Sequence, residues 1–219
     1  MIYKDFACLI PLRGGSKGIP RKNLLEINER PLYWFVAEAA IKAGIKTYIS
    51  TEDEEIKLNC QENFSAIEVI DRPNELAEDH VSTEDVIEHF IETNTNHNHI
   101  ILLQATSPMT KSSDITSAIE KYLKNSNKPL ISVVNKHSFI WSKEGKAVNY
   151  DPLHRPRRQD WSGIFVENGA IYIFSREHFL AHKSRCLRVS TLFEMSNYTS
   201  IELDTMEDIK MISNLMKEE

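Results

Sequence analysis

Short apolar runs with no polar alternation recur along this chain, and segments of helical period lie between them. Residues 6–12, 46–50, 66–70, 100–104 and 130–134 have the length and apolar character of strands covered on both faces. The segments between them, 31–43, 52–63, 83–95 and 113–125, read as helices. Ser113-x-x-Thr116 is a weak start signal, whereas Thr83, followed by Glu84 and Asp85, has the form of an N-cap with acids in the first turn. Strand alternating with helix predicts a Rossmann-like α/β domain of three layers, with a mostly parallel sheet between helices.

The alternation breaks at about 135–167, a stretch rich in His, Trp, Arg and Pro and without helical period. It is expected to be an inserted arm within one domain spanning 1–219, because an apolar run at 168–174 and a helix at about 206–217 follow it. The arm carries Phe139, Trp141, Tyr150 and Trp161, aromatics of the kind that anchor interfaces, so it is expected to pair two subunits into a homodimer.

A formal charge of −6 argues against nucleic acid as the main partner, since phosphate backbones demand a basic surface. Cys8, Cys60 and Cys186 lie far apart with no CxxC spacing, which leaves no zinc pattern, and Cys8 in its apolar run reads as a buried thiol. The start of the chain has no basic segment leading into a long apolar stretch, and no run approaches the roughly 18 apolar residues of a membrane helix. A cytoplasmic protein with no membrane partner is expected.

Chemistry enters where the first strand ends, at Arg13-Gly14-Gly15-Ser16-Lys17-Gly18-Ile19-Pro20-Arg21-Lys22-Asn23. Ligands of open α/β sheets sit beyond the carboxyl ends of strands, and glycines let backbone N–H groups approach an anion closely. Arg13, Lys17, Arg21 and Lys22 add four cations within ten residues, a match for a triphosphate and a source of mutual repulsion without one. Neither GxxxxGK[ST] nor GxGxxG can be placed on the loop.

The stretch LRGGSKGIPRKN resembles the N-terminal signature of the CMP-N-acylneuraminate synthetases, the cytidylyltransferases that activate sialic acids. Five further stretches fit the same family in the same order: Arg72-Pro73 with Glu75-Leu76-Ala77, Leu103 to Pro108, Arg157 to Asp160, Glu167 to Tyr172, and Ser200 to Thr205. The resemblance implies a nucleotidyltransferase that moves CMP from CTP to the anomeric hydroxyl of a sialic-acid-like nonulosonic acid and releases pyrophosphate. It places the nucleotide's phosphates on Arg13, Lys17 and Lys22, with Asn23 close by, and leaves Arg21 unassigned. It places cytosine and ribose near Arg72 and Ser82, whose plainer roles are a loop ion pair and a helix-start hydroxyl. Gln104 and Arg158 are implied as contacts of the sugar acid, Arg158 pairing with its carboxylate, and Asn168 and Gly169 as the floor of the sugar pocket. Lys22, Asp204 and Arg13 are the implied catalytic residues.

If 201–204 is a strand, Glu202 and Asp204 point the same way, and such a pair of hard oxygen ligands suits Mg2+, or Mn2+ in its place. Glu202 departs from the Asp usual in the family at that position, so Asp204 is expected to be the principal ligand. Glu167-Asn168-Gly169-Ala170 resembles the sialic and legionaminic group more than the pseudaminic-acid enzymes, so legionaminic acid or another nonulosonate is the alternative sugar. A non-catalytic sensor of nucleotide sugars is the alternative of a different class; it would keep the loop and dispense with the carboxylates.

Overall fold

The computed structural model describes residues 3–16 and 18–217. In chain order its strands are β1 (Phe6–Pro11), the short pair β2 (Glu26–Ile27) and β3 (Arg30–Pro31), β4 (Lys46–Thr51), β5 (Glu68–Asp71), β6 (His99–Leu103), β7 (Leu130–Lys136), β8 (Ile164–Ser175) and β9 (Thr191–Glu194). The helices are α1 (Leu32–Lys42), α2 (Glu54–Asn63), α3 (Thr83–Thr93), α4 (Ser112–Lys124), α5 (Arg176–His182) and α6 (Met206–Leu215).

Among the described residues, seven strands form one sheet in the order β5-β4-β1-β6-β8-β7-β9. Strands β5, β4, β1 and β6 run parallel, β9 runs parallel to β7, and β8 is antiparallel to both β6 and β7. The expected mostly parallel sheet is thus interrupted at β8. The reason is the arm: it leaves β7 and returns directly into β8 with no crossover helix, and only an antiparallel pair permits that. Strand order reverses between β1 and β6, which puts the switch point of the sheet beside the end of β1.

The apolar runs lack alternation because both faces of the sheet are covered. Phe6, Cys8 and Ile10 of β1 join a core with residues of α1, α2, α4 and α6, while Ala7 and Leu9 join a second core with α3 and α5. Cys8 is fully buried, and burial pushes its thiol well above the ordinary range, as a structural cysteine requires. His97 and His99, outside any nucleophile pattern, brace β4 and α4 through the hydroxyls of Tyr48 at 3.0 Å and Tyr122 at 3.1 Å. No helix among the described residues is long and apolar enough to cross a membrane.

The start of α3 lies one residue earlier than its sequence suggests. Ser82, not Thr83, is the N-cap: its hydroxyl accepts from the Asp85 amide at 3.2 Å, and Asp85 accepts from the Ser82 amide at 2.9 Å. The arm, 137–163, is held by a bridge between Trp141 and Ala147 and by its own aromatic stack. Phe139 lies 4.4 Å from Tyr150 and 5.7 Å from Trp161, with the Arg155 guanidinium 4.3 Å above its ring. Several aromatics expected at a subunit interface therefore have partners inside the arm, while Trp141 and Leu153 remain 50% and 87% exposed.

Candidate active site

A cleft of about 320 Å³ opens beyond the carboxyl ends of β1 and β6, at the switch point of the sheet. Of the residues singled out from the sequence, Arg13, Lys22, Asn23, Arg72, Ser82 and Gln104 line it. They arrive from four parts of the fold: Arg13, Lys22 and Asn23 from the loop after β1, Arg72 from the turn after β5, Ser82 from the start of α3 and Gln104 from the residue after β6. Gly15, Ser16 and Asp79 complete the wall nearest the loop. Lys17 lies outside the described residues.

The loop's described cations do not face one another unpaired. Arg13 donates to Asp79 at 2.9 Å, Lys22 to the Leu203 carbonyl at 2.8 Å and to Asp204 at 3.0 Å. Arg21 forks onto Asp53 at 2.5 and 3.0 Å and also reaches Glu55. Among the described residues, the mutual repulsion of the loop's cations is met by carboxylates of three other segments, so Arg13, Arg21 and Lys22 are paired before any ligand arrives. Asn23 braces the same loop, donating to the Arg13 carbonyl at 2.8 Å.

Arg72 and Ser82 both border the cleft, and both carry structural duties. The Arg72 side chain is 3% exposed and donates to Glu52 at 2.6 Å and to the Leu12 carbonyl at 2.7 Å. Ser82 spends its hydroxyl on the α3 cap and on Asp85.

The sugar side of the cleft, as the resemblance drew it, is assembled only in part. Gly169 has φ +64°, and a Cβ there would lie 2.9 Å from both Gln104 Oε1 and Glu202 Oε1. Three expected residues therefore meet at one point, and glycine is needed both for the backbone and for the space. Asn168 does not reach the cleft: it is 1% exposed and its amide is satisfied inside the protein. Its Oδ1 accepts from Ser132 at 2.6 Å and its Nδ2 donates to Thr199 Oγ1 at 2.9 Å, so it supports the floor from beneath. Arg158 is exposed on the arm, in the one-turn 3-10 helix Arg158–Asp160, and is not among the residues lining the cleft.

Residues 201–204 join no strand ladder, unlike the strand expected, because β9 ends at Glu194 and the chain leaves the sheet through a 3-10 turn at Asn197–Ser200; the Leu203 amide donates instead to the Thr106 carbonyl at 3.0 Å. The alternation survives without the ladder. Leu203 is buried against the core while Glu202 is half-buried and Asp204 exposed on the other side. Burial, then the charge of Asp204, raises the Glu202 carboxyl above its ordinary range, and Lys22 pulls it down. Sequence reading passed over Glu52, Asp53 and Asp79, although the acid run Glu52–Glu55 directly after a strand was a visible signal.

A family model for cytidylyltransferases matches residues 7–219. The chain belongs to the cytidylyltransferase family. Within it, an N-acylneuraminate cytidylyltransferase of Streptococcus agalactiae is 33% identical over 95% of this chain and 52% of its own length. A pseudaminic acid cytidylyltransferase of Campylobacter jejuni is 28% identical over 96% of this chain and 95% of its own. This cytidylyltransferase-family chain spans about half the length of the streptococcal relative and nearly all of the Campylobacter one. Among solved structures, a CMP:2-keto-3-deoxy-manno-octonic acid synthetase complexed with CTP superposes with a TM-score of 0.72 at 19% identity, covering 97% of this chain and 98% of that one. At that identity the likeness speaks for the fold.

Proposed function

We propose that this chain transfers CMP from CTP to the anomeric hydroxyl of a sialic-acid-like nonulosonic acid, with release of pyrophosphate. The observation that carries the reading is a cleft lined by the cationic glycine loop and by Gln104, whose Oε1 lies beside Gly169 together with Glu202 Oε1. The named activity of the streptococcal relative supports it.

In this reading the anomeric oxygen attacks the α-phosphorus in line, a new oxygen–phosphorus bond forms, and the bond to the β-phosphate oxygen breaks. Arg13, Lys17 and Lys22 neutralise the charge that gathers on the departing pyrophosphate, and Arg13 and Lys22 exchange their carboxylate partners for phosphate oxygens. Arg72 and Ser82 border the nucleoside end, and Gln104, packed with Glu202 against Gly169, orients the sugar acid. The proton of the attacking hydroxyl is accepted on the carboxylate side of the cleft.

Glu202 and Asp204 fit a hard divalent cation. Two carboxylates on one side of the segment, Asp204 held by Lys22 at 3.0 Å and Glu202 raised by burial and by the charge of Asp204, form a hard oxygen donor set that keeps a net negative charge. They are the residues that would hold Mg2+ or Mn2+, with Asp204 as principal ligand. When bound, such an ion supplies charge for the α-phosphate and lowers the pKa of the incoming hydroxyl.

The Campylobacter relative matches this chain end to end, and its named substrate is another nonulosonic acid, which keeps legionaminic acid and its kin as a second reading of the sugar. The protein acts in the cytoplasm, as a homodimer whose arms meet, with Arg158 on the arm as the partner of the sugar carboxylate. Pyrophosphate release measured with CTP, Mg2+ and a panel of nonulosonic acids tests the reading. Turnover with sialic acid above all others supports the first sugar, turnover with legionaminic acid the second, and pyrophosphate from none contradicts the proposal.

A further inference from the structure

The sheet's carboxyl edge carries an acid whose role neither the family match nor the proposed chemistry assigns. Glu52 follows β4 directly, between the ends of β1 and β5. The β1–β4 ladder runs on as far as the Leu12 amide, which donates to the Ser50 carbonyl at 2.9 Å. Beyond that point a side chain takes over from the backbone. Glu52 Oε1 accepts from the Gly14 amide at 2.7 Å, and Glu52 Oε2 accepts from Arg72 Nη2 at 2.6 Å and Nε at 3.2 Å. The same Arg72 Nη2 reaches back to the Leu12 carbonyl at 2.7 Å, which closes a ring of contacts through the first residues of the loop. Arg72 is itself fixed by its amide, which donates to the Thr51 carbonyl at 3.1 Å. Glu52 is 13% exposed and the Arg72 side chain 3%, so solvent screens this pair little. The next residue, Asp53, fills the space where a side chain on Gly14 would stand, 2.2 Å from the Cβ position.

We propose that Glu52 is the positioning residue of the phosphate loop: one carboxylate fixes Gly14 through its amide and Arg72 through its guanidinium. Two consequences follow, both resting on the nucleotide reading above. The Gly14 N–H is already committed and is not one of the loop's anion donors, which leaves Gly15 and Ser16 as the cleft-lining backbone of that stretch. Arg72 borders the nucleotide in one pose, its charge matched before the ligand arrives. A negative side chain beside a triphosphate site is thereby tolerated, because its charge is spent on a buried cation.

Amide exchange and nucleotide binding test this together, on the intact protein. In the free wild type the Gly14 amide is expected to be protected, and in Glu52→Ala to exchange at least roughly tenfold faster, as for one lost hydrogen bond. Glu52→Gln carries the test if the alanine variant does not fold, since one amide oxygen cannot serve both donors. CTP titrated by calorimetry should bind either variant roughly 10- to 100-fold more weakly than wild type. The KM for the sugar acid should stay within about twofold, a split that general destabilisation does not produce. A freely exchanging Gly14 amide in wild type, or wild-type CTP affinity in Glu52→Gln, overturns the proposal. Wild type that fails to bind CTP, with Gly14 protected by Glu52 all the same, sinks the nucleotide reading and upholds the clamp.

Discussion

Lys22 has no idle ammonium in the free protein: Leu203 O and Asp204 Oδ1 hold it at 2.8 and 3.0 Å. On the proposed reading a triphosphate would compete with Asp204 for that cation, and the exchange would free the carboxylate for a metal. One kinetic series follows from this. Lys22→Ala should raise KM for CTP and lower kcat by about 100- to 1,000-fold, the range for losing one group that stabilises developing charge. Asp204→Asn should come close to abolishing turnover with the fold intact, because the amide keeps the shape and loses the charge that holds a hard cation. Glu202→Gln should do less, since Asp204 would be the principal ligand of the ion. A Glu202→Gln variant more damaged than Asp204→Asn reverses the two roles. Wild-type constants in Lys22→Ala remove the lysine from the site.

Elements position these residues through their ends, and the loop–α2 junction shows how. Asp53 caps α2 by accepting from the Ile56 amide at 3.0 Å and holds Arg21 with both oxygens. The Arg21 guanidinium and, less, the Ile56 amide keep the Asp53 carboxyl below its ordinary range. A carboxyl lowered on folding contributes stability that is fully present above its unfolded pKa, about 3.9, and is lost as pH falls through the lower folded value. Melting temperature followed from pH 6 downward should therefore fall less steeply below about pH 4 in Arg21→Ala than in wild type. Parallel curves would place Arg21 among the solvated surface charges. Such junctions also mark where sequence reading ran out. The run 6–12 announced β1 by its apolarity, and the cations after it announced the loop. Nothing local, however, says that Glu52 will turn to Gly14 and Arg72, or Asp79 to Arg13, because those partners are brought close by parallel pairing across long sequence separations. Ser82 and Thr83 offer equal capping chemistry, and only the backbone turn decides between them.

At the scale of the molecule, the core layers were legible and the sheet's far edge was not. β9 is four residues long, Thr191–Glu194, and half its positions are solvent-facing, so it lacks the apolar run that marked the central strands. Glu202 and Asp204 were placed on a strand that the chain does not form, yet the buried Leu203 between them preserves their common side. The arm leaves Trp141, Val148 and Leu153 exposed after its own aromatic stack is complete. Sedimentation at micromolar concentration should report a dimer, and Trp141→Asp with Leu153→Asp should shift it to monomer with the domain still folded. A wild type that sediments only as monomer contradicts the paired arms.

The central claim is that an anomeric hydroxyl displaces pyrophosphate from CTP in this cleft. It is tested most directly by supplying a nonulosonic acid labelled with heavy oxygen at the anomeric hydroxyl, together with CTP and Mg2+, and following phosphorus by NMR and product mass. The account predicts a CMP–sugar phosphodiester that retains the label, one pyrophosphate per product, and little turnover when ATP, GTP or UTP replaces CTP. Equal turnover with all four triphosphates, label lost from the product, or no pyrophosphate at all would contradict it.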